Sequence, residues 1–171
     1  MTLSFVMLLA VSAMTVFAQT TVEQAEELKK PVDCGVDQYD SFKNSAFDLK
    51  DDLVKSTKNH AQLSADIKLY ETGEREKNAI NLAGDAAKMR QLKNSMGDFD
   101  DRVNTLATEG KGLADNVAKV KPITKVKQAT ENTKKSMKAV DVSKELLKEL
   151  KTNVEKDLET LDKYQEEEKK E

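Results

Sequence analysis

Cysteine, histidine and clustered carboxylates carry most protein chemistry, and this 171-residue chain has one cysteine, Cys34, and one histidine, His60. A nucleophilic thiol needs a base within hydrogen-bond reach. His60 instead falls on an apolar helix seam beside Ser56, where a polar layer that fixes register is expected rather than a base or a pH switch. Cys34 sits in the run Pro31-Val32-Asp33-Cys34-Gly35, a polar, loop-like setting that favours access to solvent. An unpaired cysteine in an exported chain points to an intermolecular bridge. The expected partner is another protein or a second copy of the chain, the latter as a Cys34-linked homodimer, with a buried, unbridged thiol near the bundle end as the alternative.

The carboxylates offer less. Asp98, Asp100 and Glu109 fall on the first, third and twelfth places of a calcium-loop pattern. Arg102 and Val103 then take the fifth and sixth, where an oxygen ligand and a glycine are required. Asp48, Asp51 and Asp52 share one side of a helix and read as a solvated face. No zinc-ligand spacing and no phosphate-cradling glycine loop occurs. No catalytic, metal or cofactor-binding residue is expected, and the chain is not expected to be an enzyme.

Charge is unevenly spread around a net of −3. Lys119, Lys121, Lys125, Lys127, Lys134, Lys135 and Lys138 fall in a stretch with one acid, Glu131, whereas the C-terminal segment ends in Glu166-Glu167-Glu168. Such a basic run is most often a helix face paired with a neighbouring acidic helix. The alternative is a patch for an anionic partner.

The elements that position these residues follow from periodicity. Met1–Ala18 carries no charge, has an apolar centre and ends in Val16-Phe17-Ala18, which predicts a signal peptide cut before Gln19. The apolar run is too short for a membrane span. Residues 19–36 form a polar segment, with a short helix stopped by Pro31 and a loop holding Cys34. From there two ladders of strict 3-4 spacing appear. The first reads Tyr39, Phe42, Ala46, Leu49, Leu53, Ser56, His60, Leu63, Ile67, Tyr70. The second reads Met89, Leu92, Met96, Phe99, Val103, Leu106, Gly110, Leu113, Val117, Val120. Each makes a narrow seam suited to helix-on-helix packing.

The spacing predicts helices over 37–72, 74–120 and 124–164, with a frayed acidic tail over 165–171. Gly73 fits the position just past a helix end, and Pro122 forces the residue before it away from helical angles. Thr108-Glu109-Gly110-Lys111-Gly112 marks a weak point at 108–112. Ala79, Ala83, Gly84, Ala86 and Ala87 suggest a close helix approach. The third seam runs Val126, Thr130, Thr133, Met137, Val140, Lys144, Leu147, Lys151, Val154, Leu158, Leu161, thickened by Leu146 and Leu150.

Short connections favour antiparallel neighbours. The expected fold is all-α: an elongated, coiled-coil-like antiparallel three-helix bundle over 37–164, behind a cleaved signal peptide. The expected function is that of a secreted structural or protein-interaction protein acting without catalysis. The general profile, Lys- and Glu-rich and helical behind an export signal, is similar in architecture to the exchangeable apolipoproteins. That likeness rests on no shared motif and implies a second expectation, a secreted lipid carrier. Export and the scarcity of aromatics, 5% of residues, disfavour nucleic acid as a partner.

Overall fold

The computed structural model describes residues 21–170, and every regular element among them is helical. The expected signal peptide, Met1–Ala18, lies outside the described residues. A short helix α1 covers residues 21–27. Three long helices follow: α2 (Asp37–Thr72), α3 (Ala79–Asn116) and α4 (Val126–Glu168). Two 3-10 turns, Val117–Lys119 and Ile123–Lys125, link α3 to α4. No helix among the described residues is long and apolar enough to cross a membrane.

Cross-helix pairs show how α2, α3 and α4 pack as a bundle. Tyr39 Oη donates to Leu113 O (3.1 Å), Arg102 pairs with Asp52 (2.8 Å), and Tyr70 Oη donates to Asp85 (2.7 Å). As α2 numbers rise, their α3 partners fall, so the two run antiparallel. Arg90–Asp162 (2.8 Å) and Lys93–Glu155 (3.6 Å) set α4 antiparallel to α3 in the same way. His60–Asp157 (2.9 Å) and Tyr164–Glu71 (3.3 Å) set α4 parallel to α2.

The expected seams face the core. Tyr39, Phe42, Ala46, Leu49, Leu53, His60, Ile67 and Tyr70 are buried on α2, and Met89 to Leu113 on α3. At these spacings one stripe of each helix leaves water, and that burial drives the packing. The start of α3 departs from expectation. Asn78 is extended and its side chain accepts the Asn81 N–H (2.9 Å), so the helix begins at Ala79 rather than at residue 74. This is the usual work of an asparagine N-cap.

The close approach sits elsewhere than expected. A Cβ added at Gly84 would meet nothing within 4 Å, whereas one at Gly110 would come within 2.7 Å of Phe42 Cζ and 3.1 Å of Met137 Cγ. The weak point at 108–112 is continuous helix, and Gly110 is the glycine of α3 that packs closely against both neighbouring helices. Gly73 ends α2 with φ at 76°, in the left-handed region that glycine adopts without strain.

The largest departure is on α4. Beside the expected seam runs a second buried row: Ala129, Asn132, Ser136, Ala139, Ser143, Leu146, Leu150. Ser136 and Ser143 donate back to Asn132 O and Ala139 O (2.7 and 2.8 Å), so their hydroxyls are buried with a partner. α4 needs this breadth because it packs against α2 and α3 and also carries the N-terminal segment. Its helix also extends to Glu168, past the expected end at residue 164.

The N-terminal segment, α1 and the chain to residue 36, lies as a strap between α2 and α4. Thr21 Oγ1 donates to Glu149 (2.9 Å), Asn132 Nδ2 to Val32 O (2.8 Å) and Gln128 Nε2 to Asp33 O (3.0 Å). From α2, Lys50 Nζ donates to Ala25 O (3.0 Å) and Leu28 O (3.2 Å), while Lys43 pairs with Asp33. Both lysines are buried, at 1% exposure for Lys43 and 6% for Lys50. A buried cation is tolerated only when its donors are met, and here the strap meets them. A second α2 stripe, Lys43, Phe47, Lys50, Val54 and Thr57, is buried as a result.

Candidate functional site

The lysine run gathers at one end of the bundle, where α3 finishes, α4 starts and the strap turns into α2. Lys119 and Lys121 lie in the link between α3 and α4, Lys125 at the start of α4, and Lys127, Lys134, Lys135 and Lys138 on the solvent side of its first turns. Positions 127, 134 and 138 recur on one helical face. All but Lys125 are exposed. Lys119 Nζ donates to Asn116 Oδ1 (2.8 Å) and Lys125 Nζ to Gly35 O (2.5 Å). Among the described residues, none of the seven forms an ion pair.

Elsewhere ten of the other 21 Lys and Arg side chains form ion pairs, several across the helix interfaces: Lys58 with Glu26, Arg90 with Asp162, Arg102 with Asp52, Lys151 with Asp100. The expected pairing of the basic face with a neighbouring acidic helix is absent. The local electrostatics also oppose the arrangement. A helix N-terminus carries a partial positive charge and is stabilised by acids, yet α4 has no acid in its first turn and is flanked by Lys125 and Lys127. Positive potential therefore accumulates at this end. Two large apolar side chains are exposed there as well, Ile123 at 81% and Val32 at 75%.

Cys34 is placed differently from its expectation. It is 5% exposed and a free thiol. Its N–H and that of Gly35 both donate to the Asp40 carboxylate at 2.8 Å, which pins the loop onto the start of α2. Burial and the adjacent Asp40 carboxylate push the thiol pKa above its ordinary value, so little reactive thiolate exists at neutral pH. Burial alone would raise the Asp40 pKa too. The two backbone N–H groups, the Cys34 thiol and the Lys43 ammonium outweigh it and hold that carboxyl below the ordinary value. A bridge between two chains through Cys34 would require this loop to leave its seat.

His60 is buried at 7% exposure with Nε2 2.9 Å from Asp157 Oδ2 on α4. It sits within the seam as a polar contact between α2 and α4, as its position on the ladder suggests. The aspartates of α2 diverge: Asp48 faces Lys30 (3.5 Å), Asp51 faces Lys50 (2.9 Å) and Asp52 faces Arg102 (2.8 Å). Asp100 goes to Lys151. Among the described residues, no group of three His, Cys, Asp or Glu side chains converges as a metal site.

One charged cluster has no counterpart in the sequence reading. Asp85, 2% exposed, accepts from Tyr70 Oη (2.7 Å), pairs with Arg75 (2.9 Å) and lies 3.3 Å from Lys88. The Arg75 guanidinium also lies over the Tyr70 ring at 5.1 Å, and Tyr164 packs edge-on to that ring at 6.1 Å. The group joins all three long helices at the end opposite the lysines. Its only sequence signal is that Asp85 lies four residues before Met89 on the α3 seam.

Comparison of the chain with protein-family models, with curated proteins and with solved structures returned no match.

Proposed function

We propose that the chain is a secreted helical-bundle interaction protein that acts by binding rather than by catalysis, with its lysine-bearing end as the contact face for an anionic partner. The observation that carries this reading is the concentration of seven lysines from Lys119 to Lys138 at one end of the bundle with no ion pair among them, where ten of the other 21 cations are paired. Concentrated charge left unpaired at the start of a helix costs stability locally. A partner that supplies the missing negative charge recovers that cost on binding.

The test is chromatography of the full-length secreted product on a sulfonate cation exchanger at neutral pH. The net charge of −3 gives no reason for retention, so retention reports the patch. The Lys127→Gln, Lys134→Gln, Lys138→Gln triple variant should elute clearly earlier. Equal elution of the two proteins would remove the basis of the reading. N-terminal sequencing of the same material tests the secreted part of the reading and should begin at Gln19.

A second reading, a lipid carrier, draws support from the strap. Residues 21–36 are held on the α2 stripe of Phe47, Lys50 and Val54 by hydrogen bonds from Lys50 to strap carbonyls, with Val22, Ala25 and Leu28 as apolar anchors near α1. A strap held in that way can lift and uncover an apolar face. Native mass spectrometry of gently purified protein decides it: added masses of lipid size favour the carrier, and their absence favours the first reading.

A further inference from the structure

We propose that the lysine-bearing end docks on an anionic lipid bilayer, with Ile123 as an apolar wedge and Lys119, Lys121 and Lys127 as contacts to lipid phosphates. This rests on the reading that the unpaired lysines form the contact face, and it commits that face to one partner. Lysines alone suit any polyanion. The apolar residues among them are what distinguish a bilayer, whose interface takes up apolar side chains beneath a layer of phosphates.

Ile123 is 81% exposed at the start of the 3-10 turn Ile123–Lys125, next to exposed Pro122, and takes no part in the core. Singly exposed apolar residues are ordinary on protein surfaces. Here two of the three exposed large hydrophobics among the described residues, Val32 and Ile123, lie at the end that carries the lysines. The Asn132 side chain holds Val32 O at 2.8 Å, which keeps Val32 beside the first turns of α4. The third, Ile80, lies at the opposite end.

The charge around the wedge is predominantly positive. From Lys119 to Thr130 no carboxylate interrupts the chain. Asp33 on the strap is engaged by Lys43, which leaves Asp37, Asp115 and, one turn beyond Lys127 on α4, Glu131 as the nearby exposed acids. Lysine stems can lie along the apolar layer while their ammonium groups reach phosphate. Each lysine near an anionic membrane surface contributes roughly fivefold in affinity, so three give roughly a hundredfold. Ile123 adds the insertion that a purely electrostatic contact lacks.

The experiment uses the full mature chain and two kinds of vesicle, phosphatidylglycerol–phosphatidylcholine mixtures and phosphatidylcholine alone, with heparin as a soluble polyanion. The chain has no tryptophan, so Ile123→Trp places a single reporter at the wedge. The expected result is sedimentation with anionic but not neutral vesicles and a blue shift of the Trp emission on binding. Ile123→Ser should weaken vesicle binding about fivefold to tenfold and leave heparin affinity unchanged. The Lys119→Gln, Lys121→Gln, Lys127→Gln triple should lose both. All of these side chains are exposed, and unchanged helicity by circular dichroism verifies that each variant is folded.

Lysine-dependent heparin binding without vesicle binding would overturn the bilayer and leave the contact face standing, with a soluble polyanion as its partner. Vesicle binding indifferent to Ile123→Ser, or without a Trp blue shift, would overturn the wedge and with it the proposal. Binding to neither vesicles nor heparin would overturn both the proposal and the reading beneath it.

Discussion

Gly110 of α3 lies against the ring of Phe42 of α2, so closely that a Cβ there would stand 2.7 Å from Phe42 Cζ. Phe42 is 1% exposed and has little room to yield. Glycine inside a helix costs roughly 0.5–1 kcal/mol relative to alanine, and at this position the cost is offset by close packing.

The two kinds of glycine in α3 should therefore respond oppositely to alanine. Gly97 is exposed and a Cβ there meets nothing within 4 Å, so Gly97→Ala should stabilise by roughly 0.5–1 kcal/mol. Gly110→Ala gains the same helix preference but overpacks the core, which typically costs about 1–3 kcal/mol. A net loss of about 1 kcal/mol is expected. Thermal denaturation followed by circular dichroism measures both, and stabilisation by Gly110→Ala would refute the contact.

Lys50 tests the strap. Its ammonium supplies hydrogen bonds to Ala25 O and Leu28 O from a buried position. Lys50→Met keeps much of the volume and leaves both carbonyls short of a donor, a change that costs about 1–3 kcal/mol. The loss should fall on the strap. Limited proteolysis should cut within residues 21–36 sooner than in the wild type, while the α2–α4 core stays resistant. Simultaneous cleavage throughout the bundle would show that strap and bundle unfold as one unit.

The Asp40 carboxylate that pins the Cys34 loop gives an acid-side prediction. Its folded pKa is depressed below the ordinary value of 3.8. A depressed carboxyl binds fewer protons folded than unfolded, so its contribution is full above that ordinary value and is lost as pH falls through the folded one. The loop that carries Cys34 should loosen in that window. Labelling of Cys34 by 4,4′-dithiodipyridine, which reacts in acid, should be slow at neutral pH and accelerate below pH 4. Asp40→Asn should label fast at neutral pH already, and equal rates for the two proteins would contradict the pinned loop.

Alkaline behaviour follows from the tyrosines. Burial, with the Asp85 hydrogen bond, raises Tyr70, and burial also raises Tyr39 and Tyr164 above the ordinary value of 10.0. All three tyrosines of the chain are thus held neutral by the fold. A group raised in the folded state contributes stability that is full below the unfolded pKa and declines as pH rises through the folded one. Ultraviolet titration should show little phenolate at pH 10 in the native protein and about half ionisation in denaturant. Stability should fall progressively above pH 10.

The sequence by itself determined the class of fold and the residues of its first two seams. A 3-4 ladder from Tyr39 to Tyr70, and another from Met89 to Leu113, can be buried together in one conformation only, a helix; Gly73 marks where the first stops, whereas α3 ends at Asn116, short of the expected residue 120 and of Pro122. Only the tertiary structure decided how broad each buried face is. The second rows on α2 and α4 contain Lys43, Lys50, Asn132, Ser136 and Ser143, polar residues that read as solvent-facing until a partner is supplied. Their partners are strap carbonyls, the strap aspartate Asp33 and their own helix backbone. The same holds for the candidate site. The lysines were legible as a run, but whether acids face them depends on which helix faces become neighbours. Local periodicity reports the character of a face, and only packing assigns what lies opposite.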